Sequence, residues 1–225
     1  MAGEPESLHI HEPLRARIER HDYDRLLMLS DGVFAIAITL LALELRLPEH
    51  WDGSIGGLMS ASGRPLTGYL FGFGLVGAFW LMHRRLFARL EQVDRMVTLL
   101  NLLLLGLVGL TPFVAKMIAE GGPTRAMPFY LVAVASVLAV LTLIRAWAAL
   151  TPRLIHSGVD RRDWLLDTAS SAVGSIALGS VGTWGILEHQ PIGSEVLLGM
   201  IVVVVGARKL TASRRNGQMS STSRP

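Results

Sequence analysis

An acidic side chain lies inside the first apolar stretch of this sequence, and its surroundings limit the chemistry it can perform. Asp31 falls about one to two helical turns inside the run Leu26–Leu47. Holding an ionised carboxylate at membrane depth costs about 2.5–3.5 kcal/mol on insertion scales, so such a group needs water or a polar partner. Asp31 is therefore either a structural hydrogen-bond anchor or an ion or proton site. Four residues from the same half of the predicted membrane segments are its candidate partners: Arg25, Trp80, His83 and Asn101.

The sequence contains no motif typical of an enzyme or of a metal site. The chain has no cysteine, which excludes disulfides and thiolate metal sites. It contains no His-Glu-x-x-His, no Gly-x-Ser-x-Gly and no phosphate-binding loop, and we expect Gly68, Gly72 and Gly74 to permit close helix contact instead. We expect no enzyme activity, no catalytic residue, no cofactor and no resident metal. The remaining histidines fall in tails and loops: His9, His11, His21, His50, His156 and His189.

The composition places these residues in a membrane. Of 225 residues, 51% are hydrophobic and only 17% are charged, against about 25% in a typical soluble domain. A membrane-spanning helix needs about 20 mostly apolar residues. The spacing predicts an all-α integral membrane protein with six transmembrane helices. The six runs with few or no charges are Leu26–Leu47, Pro65–Met82, Met96–Ala115, Ala126–Ile144, Thr168–Leu187 and Pro191–Ala207.

The basic residues flank these runs unevenly. With the N-terminus in the cytoplasm, 17 of the 21 Lys and Arg residues face the cytoplasm. The positive-inside rule predicts this asymmetry, which accounts for the pI of about 9.8 without a nucleic-acid partner. We expect a multi-pass protein of the plasma membrane with both termini in the cytoplasm. Four basic residues remain for the outer side: Arg46, Arg64, Lys116 and Arg125.

The chain divides into three parts. Residues 1–21 form a polar cytoplasmic N-terminal segment, and residues 22–210 form the six-helix transmembrane domain. Residues 211–225 are rich in Ser and Arg, a composition typical of a disordered tail. The connections between the runs leave no room for a second folded domain.

The first helix presents two different faces. At 100° per residue, Ile36, Thr39 and Leu43 fall about 80–140° around the helix from Asp31 and form one stripe. Two alanines lie beside Asp31, so that face is suited to packing against protein. An apolar stripe on a membrane helix faces lipid, packs against protein or lines a pore. The hydroxyl of Thr39 either bonds to a carbonyl of the preceding turn or belongs to an ion path, and periodicity leaves both pairs of alternatives open.

The polar residues of the first helix follow a recognisable pattern. Arg25, three residues, then Leu29, Ser30 and Asp31 precede Gly-Val-Phe-Ala-Ile-Ala-Ile-Thr. This run resembles the signature of the transmembrane protein 175 family, the endosomal and lysosomal potassium channels and their prokaryotic relatives. The family motif has Phe where this chain has Leu29, which removes one aromatic packing contact. The resemblance covers about residues 22–120.

The resemblance continues in the next two predicted helices. The segment Phe79–Phe87, with Trp80 and His83, looks like the family's tryptophan–histidine segment. The segment Leu100–Phe113, with Asn101, looks like its third helix. The resemblance implies that the motif residues are structural and tie the first helix to this region by buried hydrogen bonds.

The resemblance also implies a function. Prokaryotic members are homotetramers whose first helices line a central pore, so the expected partners are further copies of this chain, K⁺ and other monovalent cations, and the lipid bilayer. The implied constrictions are apolar rings at Ile36 and Leu43 with a polar ring at Thr39 between them. These are the residues of the stripe. The expected activity is a potassium-permeable cation channel with a hydrophobic gate and only transient K⁺ binding.

Two other kinds of protein remain as alternatives. A small proton- or ion-coupled secondary transporter would use Asp31 and His83 as ionisable groups. Its inverted repeats are not evident between residues 22–118 and 126–210. A membrane scaffold without transport is the second alternative, and an absence of ion flux would favour it.

Overall fold

The computed structural model describes residues 14–43, 45 and 52–193, which are almost entirely helical. Five segments are long and apolar enough to cross a membrane, because α3 and α4 together form one of them. The prediction of an all-α membrane protein is confirmed, while most of the predicted sixth span lies outside the described residues. The elements are α1 Leu14–Ala42, α2 Ile55–Phe87, α3 Arg95–Gly109, α4 Thr111–Gly121, α5 Pro123–Leu150, a 3₁₀ turn Pro152–Leu154, and α6 Arg161–Leu187.

The second helix is longer than predicted. The segment expected as a connection up to Arg64 is already helical from Ile55. The side chain of Ser54 accepts a hydrogen bond from the backbone N–H of Gly57 over 2.9 Å and caps the helix. Pro65 lies inside α2 without ending it, since one missing N–H can be tolerated in a long helix that packs along its length.

Proline and glycine set the other helix ends. Pro112 stands in the first turn of α4, where its missing N–H would lack a partner in any case. Gly122 separates α4 from α5 with a φ of 79°, in the region that favours glycine. Between the predicted runs Met96–Ala115 and Ala126–Ile144, the helices are thus interrupted at Gly122 by a single-residue break.

Close helix contact occurs at two of the three expected glycines. A Cβ on Gly68 would lie 2.7 Å from the carbonyl oxygen of Ala115, and a Cβ on Gly72 would lie 2.7 Å from a methyl of Leu41. These glycines let α2 approach α4 and α1 closely. The expectation is wrong for Gly74, where a Cβ would meet nothing within 4 Å.

The helices pack around α5. It lies against α6 along most of its length and also contacts α3 and α4. Its fully buried side chains include Leu131, Leu141 and Ile144. The first helix packs mainly against α2 and α3, at the edge of the bundle. One side of α1 is therefore left uncovered by the described residues of the chain.

Candidate functional site

Three polar side chains from three helices meet at a buried point beside α1. Nδ2 of Asn101 on α3 donates to Oγ of Ser30 on α1 over 2.9 Å. Oδ1 of Asn101 lies 2.9 Å from Nε2 of His83 on α2. Ser30 and Asn101 are fully buried, and His83 is 2% exposed. Because burial without a partner is costly, each group depends on the others, and the three helices are held in one register.

The surroundings of this point keep the side chains in place. The hydroxyl of Ser30 donates to the carbonyl of Leu26, one turn earlier in α1, over 2.8 Å. The imidazole of His83 stacks on Phe87 at a centroid distance of 4.2 Å and lies 5.5 Å from the ring of Phe34. The network is therefore enclosed by aromatic rings.

A second polar contact joins α1 to α2 on the exposed side. The indole Nε1 of Trp80 donates to Oδ1 of Asp31 over 2.9 Å. The guanidinium of Arg84 lies 5.6 Å from the centre of the Trp80 ring, a cation–π distance. Among the described residues no three His, Asp or Glu side chains cluster as metal ligands would. A cavity of about 270 Å³ adjoins this contact and is lined by Tyr23, Leu27, Asp31, Trp80, His83, Arg84, Phe87 and Ala88.

Arg25 does not join the polar network, contrary to what the resemblance implied. Its side chain is exposed, and we find no partner for it among the described residues. The helical geometry explains this, because five residues turn the helix by about 140° from the direction of Ser30. Arg25 therefore lies on the uncovered side of α1.

The predicted stripe occupies that same uncovered side. Ile36 is 59% exposed and Leu43 is 69% exposed, and Thr39 is also exposed. The hydroxyl of Thr39 donates back to the carbonyl of Ile36 over 2.9 Å, so its lone pairs remain available on the exposed side. The structure thus brings Ile36, Thr39 and Leu43 together on one surface, next to Asp31.

The opposite face of α1 is the one that packs within the chain. It is formed by four apolar residues, each at most 7% exposed: Leu26, Phe34, Ala37 and Leu41. The face of Asp31, which sequence analysis assigned to protein packing, is exposed in the single chain. Its only described contact across helices is the bond from Trp80.

Two polar contacts were missed by sequence reasoning. The hydroxyl of Tyr23 donates to the carbonyl of Phe87 over 2.7 Å and ties the first half of α1 to the end of α2. Arg145, which we counted among residues facing the cytoplasm, is 8% exposed and donates to Oγ of Ser171 over 3.1 Å. Neither contact has a local sequence signal, because both depend on helices distant in the chain.

A carboxylate stands at the opposite end of α2. Asp52 accepts hydrogen bonds from the hydroxyl of Ser54 over 2.7 Å and from its backbone N–H over 2.9 Å. The hydroxyl first, and then the backbone N–H, stabilises the charged form and holds the pKa of Asp52 below its usual value. Asp52 therefore carries a negative charge near the end of the helical bundle.

The similarity to known proteins lies in the same part of the chain, from α1 to the start of α4. Residues 25–112 match the family described as endosomal/lysosomal potassium channel TMEM175. A potassium channel of Streptomyces collinus is 43% identical over 94 residues, which cover 40% of this chain and 45% of that protein. A potassium channel of Chamaesiphon minutus is 37% identical over 105 residues, or 45% of this chain and 52% of that protein. The endosomal/lysosomal proton channel TMEM175 of Homo sapiens is 34% identical over 116 residues, covering 47% of this chain and 21% of that protein.

The chain thus spans about half the length of the bacterial relatives it matches. Solved structures extend the likeness to most of the helices. The crystal structure of a lysosomal potassium-selective channel TMEM175 homolog from Chamaesiphon minutus superposes with a TM-score of 0.64 at 24% identity, covering 82% of this chain and 95% of that one. A variant of the potassium channel MtTMEM175 has a TM-score of 0.55 at 20% identity, covering 84% of this chain and 93% of that one. At these identities the structures show a shared fold.

The family match runs from the beginning of the motif in α1 to the beginning of α4. The bacterial relatives named above are more similar to this chain than the human one is. The fold agrees with that of a bacterial member. Over residues 25–112 this multi-pass membrane protein is similar to the TMEM175 family, and of the relatives named here its bacterial members are the more similar to it.

Proposed function

We propose that this protein is a potassium-permeable cation channel that passes K⁺ down its gradient through a pore formed by a homotetramer. One observation carries the proposal: two large apolar side chains, Ile36 and Leu43, are 59% and 69% exposed on the side of the first helix that the described residues of the chain leave uncovered. The names of the bacterial relatives, potassium channels matched over this region, support K⁺ as the ion.

Four copies of α1 around one axis would turn the uncovered face into a pore wall. A ring of Ile36 side chains forms an apolar neck, which excludes water and ions when narrow and wets and conducts when slightly wider. Leu43 forms a second ring two turns further along. Between them the Thr39 hydroxyls offer lone pairs to a partly dehydrated cation, since their protons are bonded to Ile36 carbonyls.

The buried network has a structural part in this proposal. Ser30, Asn101 and His83 hold the packed face of α1, so the direction in which Ile36 points is set by contacts on the other side of the helix. The bond between Trp80 and Asp31 holds the edge between the two faces. Arg25 takes no part in the network within one chain, and in the tetramer it faces the axis or a neighbouring copy.

Acidic residues at one end of the pore support cation entry. Asp52 carries a negative charge there, and its lowered pKa preserves that charge in mildly acidic solution. Glu44 and Glu49 belong to the same end by sequence and lie outside the described residues. Such charges raise the local cation concentration. Selectivity for K⁺ over Na⁺ is weak in this proposal, because side-chain rings do not compensate dehydration as a ring of carbonyls does.

The proposed location is the plasma membrane, with both termini in the cytoplasm. The end of the bundle where α1 begins and α2 ends carries Arg84, Arg85 and Arg89, close to Arg95 at the start of α3. The positive-inside rule assigns this end to the cytoplasm. Asp52 then lies on the outer side.

The alternative, a proton- or ion-coupled transporter that uses Asp31 and His83, has less support. Both residues line the same cavity, which puts them at one depth in the membrane. A relay across the membrane needs ionisable groups at successive depths. Saturable flux coupled to a second substrate would favour the transporter over the channel.

Cation flux into proteoliposomes tests the proposal. The purified protein should pass K⁺ down its gradient, and Ile36→Asn should raise the flux about tenfold, because a polar ring wets the neck. Ile176→Asn is the matched control, since Ile176 is 69% exposed on α6, away from α1. An unchanged flux in Ile36→Asn would remove Ile36 from the constriction.

The oligomeric state provides an independent test. A four-fold assembly with α1 around the axis, seen by electron cryomicroscopy in lipid nanodiscs, is the expected result. A monomer with the Ile36 face in contact with lipid would overturn the channel proposal.

A further inference from the structure

The loop between α2 and α3 is held by the second half of the chain as well as by the helices that it connects. Residues 88–94 lie antiparallel to residues 151–156, which connect α5 to α6. These two segments together are referred to below as the loop clasp. Two backbone hydrogen bonds and one bridge pair join them: Glu91 N to Leu154 O (2.9 Å), His156 N to Arg89 O (3.0 Å), and Leu90 opposite Ile155.

One carboxylate of the clasp serves two helices. Oδ1 of Asp94 accepts from the backbone N–H of Val97 over 2.9 Å and so caps the start of α3. Oδ2 of the same group accepts from Nε1 of Trp147 on α5, also over 2.9 Å. Both donors act on a charged acceptor, which makes each bond stronger than a bond between neutral groups. The position of the first turn of α3 is thereby tied to α5.

Two further side chains cross the clasp. The guanidinium of Arg89 forms an ion pair with the carboxylate of Asp167 on α6. Nε2 of Gln92 donates to the carbonyl of Arg153 over 3.0 Å. The ion pair is partly exposed, and exposed pairs contribute little by themselves. The half-buried hydrogen bond between Asp94 and Trp147 therefore contributes more to holding the two segments together.

The clasp adjoins the polar network of α1 at both of its ends. Immediately before it, the carbonyl of Phe87 accepts from the hydroxyl of Tyr23 on α1 over 2.7 Å. Immediately after it, α3 runs for about two turns to Asn101, which binds Ser30 on α1. A contiguous set of contacts thus leads from α5 and α6, through residues 88–94, to α1.

We propose that the loop clasp positions α3, and through it α1, for conduction, with Asp94 and Arg89 as positioning residues. The proposal rests on the proposed channel function. It gives a role to α5 and α6, which lie beyond the family match at residues 25–112, whereas α1 packs mainly on α2 and α3. In this arrangement α5 and α6 fix the loop that precedes α3, and the loop fixes the position of α3. The position of α3 in turn determines the direction in which the Ile36 face of α1 points.

Trp147→Phe is the first test, because it removes only the N–H donor to Asp94 and keeps a ring in place. Cation flux per tetramer, at equal tetramer content in proteoliposomes, should fall about tenfold, as for the loss of one hydrogen bond to a charged group. The matched control is Trp184→Phe, since Trp184 is 55% exposed near the opposite end of α6. Arg89→Gln should lower the flux in the same direction but less.

A disulfide across the clasp provides a rescue. Leu90 and Ile155 form the bridge pair without mutual hydrogen bonds, a pairing with a Cα separation of about 4.5 Å that a disulfide can span. The chain has no cysteine of its own, so Leu90→Cys with Ile155→Cys gives one defined bond. Oxidation of this pair in the Trp147→Phe background should restore most of the flux, and reduction should remove it again.

Hydrogen–deuterium exchange separates this proposal from the channel proposal. Trp147→Phe should speed exchange about tenfold in residues 95–101 and in residues 20–31, because local opening becomes easier. If flux per tetramer stays at the wild-type level, the clasp does not position the pore, even where exchange is faster. If the wild-type protein passes no cations, the channel proposal fails, and unchanged exchange in residues 20–31 would then overturn the positioning role as well.

Discussion

Asn101 on α3 donates a hydrogen bond to Ser30 on α1 over 2.9 Å, and both residues are fully buried. The bond fixes the face of α1 that packs inside the chain. The face with Ile36 is consequently directed outward, about 120° away around the helix axis. The polar motif and the apolar stripe are therefore two sides of one arrangement, in which a buried contact orients an exposed surface.

Replacement of Asn101 by Leu should destabilise the protein by about 1–3 kcal/mol, because Nε2 of the buried His83 loses its partner. The apparent melting temperature in detergent, followed by tryptophan fluorescence, measures the effect. Leu102→Ala is the control, as Leu102 is 47% exposed on the same helix. An equal fall in melting temperature in both variants would show that the hydrogen bonds of Asn101 contribute no more to stability than an exposed apolar side chain does.

Replacement of Asp31 by Ala should mainly reduce assembly, because Nε1 of Trp80 loses its acceptor at the edge of the uncovered face. Asp31→Asn keeps an acceptor oxygen and should assemble nearly normally. Native mass spectrometry gives the fraction of tetramer in each variant. Should Asp31→Ala assemble normally and yet fail to conduct, the structural assignment of Asp31 would be wrong.

Replacement of Gly68 by Ala should destabilise the bundle by about 1–3 kcal/mol, because the new Cβ would lie 2.7 Å from the backbone oxygen of Ala115. Gly74→Ala is the matched control on the same helix, where a Cβ meets nothing within 4 Å. There the substitution should be neutral or stabilising, since Ala favours a helix over Gly. Comparable melting temperatures for both variants would contradict the close contact of α2 with α4.

Replacement of Asp52 by Asn should lower the initial K⁺ flux about twofold at low ionic strength and have little effect at high salt, where surface charges are screened. Because the pKa of Asp52 is lowered, its carboxylate stays charged as pH falls through the range in which an ordinary carboxylate protonates. The flux ratio of wild type to Asp52→Asn should therefore stay constant from pH 7 to about pH 4, where about half of an ordinary aspartate is already protonated, and decline only below that.

Glu188→Gln is the control for the charge effect, since Glu188 is an exposed acid at the end of α6, away from α1. It should leave the flux unchanged at every ionic strength. A ratio of wild type to Asp52→Asn that already declines between about pH 5 and pH 4, as for an ordinary aspartate, would show that the hydrogen bonds from Ser54 do not hold the carboxylate in its charged form.

Much of the fold was open to prediction because membrane-spanning helices have a strong composition signal. The five described spans include most of the residues of the predicted runs. The ends were less predictable, as α2 shows: Ser54 caps a helix that starts ten residues before the apolar run. Residues 55–64, which include three glycines, two serines and one arginine, have only a weak hydropathy signal and become helical through the Ser54 cap and their continuity with the span.

The candidate site was also predictable only in part. Helical phase placed Ile36, Thr39 and Leu43 on one face because that relation is local to a single helix. The partners of Asp94 and Tyr23 were beyond prediction, because Trp147 and the carbonyl of Phe87 lie 53 and 64 residues away in the chain. An aspartate just before an apolar run is a helix-capping signal, and it could have identified one half of the role of Asp94.

By itself the sequence determined the membrane class, the order of the spans and the stripe on α1, since hydropathy and helical period are properties of neighbouring residues. Only the tertiary structure decided which face of α1 is packed and which is uncovered. That choice depends on buried polar groups of Ser30, His83 and Asn101 that must find one another across three helices. The packing of the helices also turned Arg25 away from the network and joined the α2–α3 loop to α5 and α6, because hydrogen bonds between distant segments form only where the packed helices bring their donors and acceptors together.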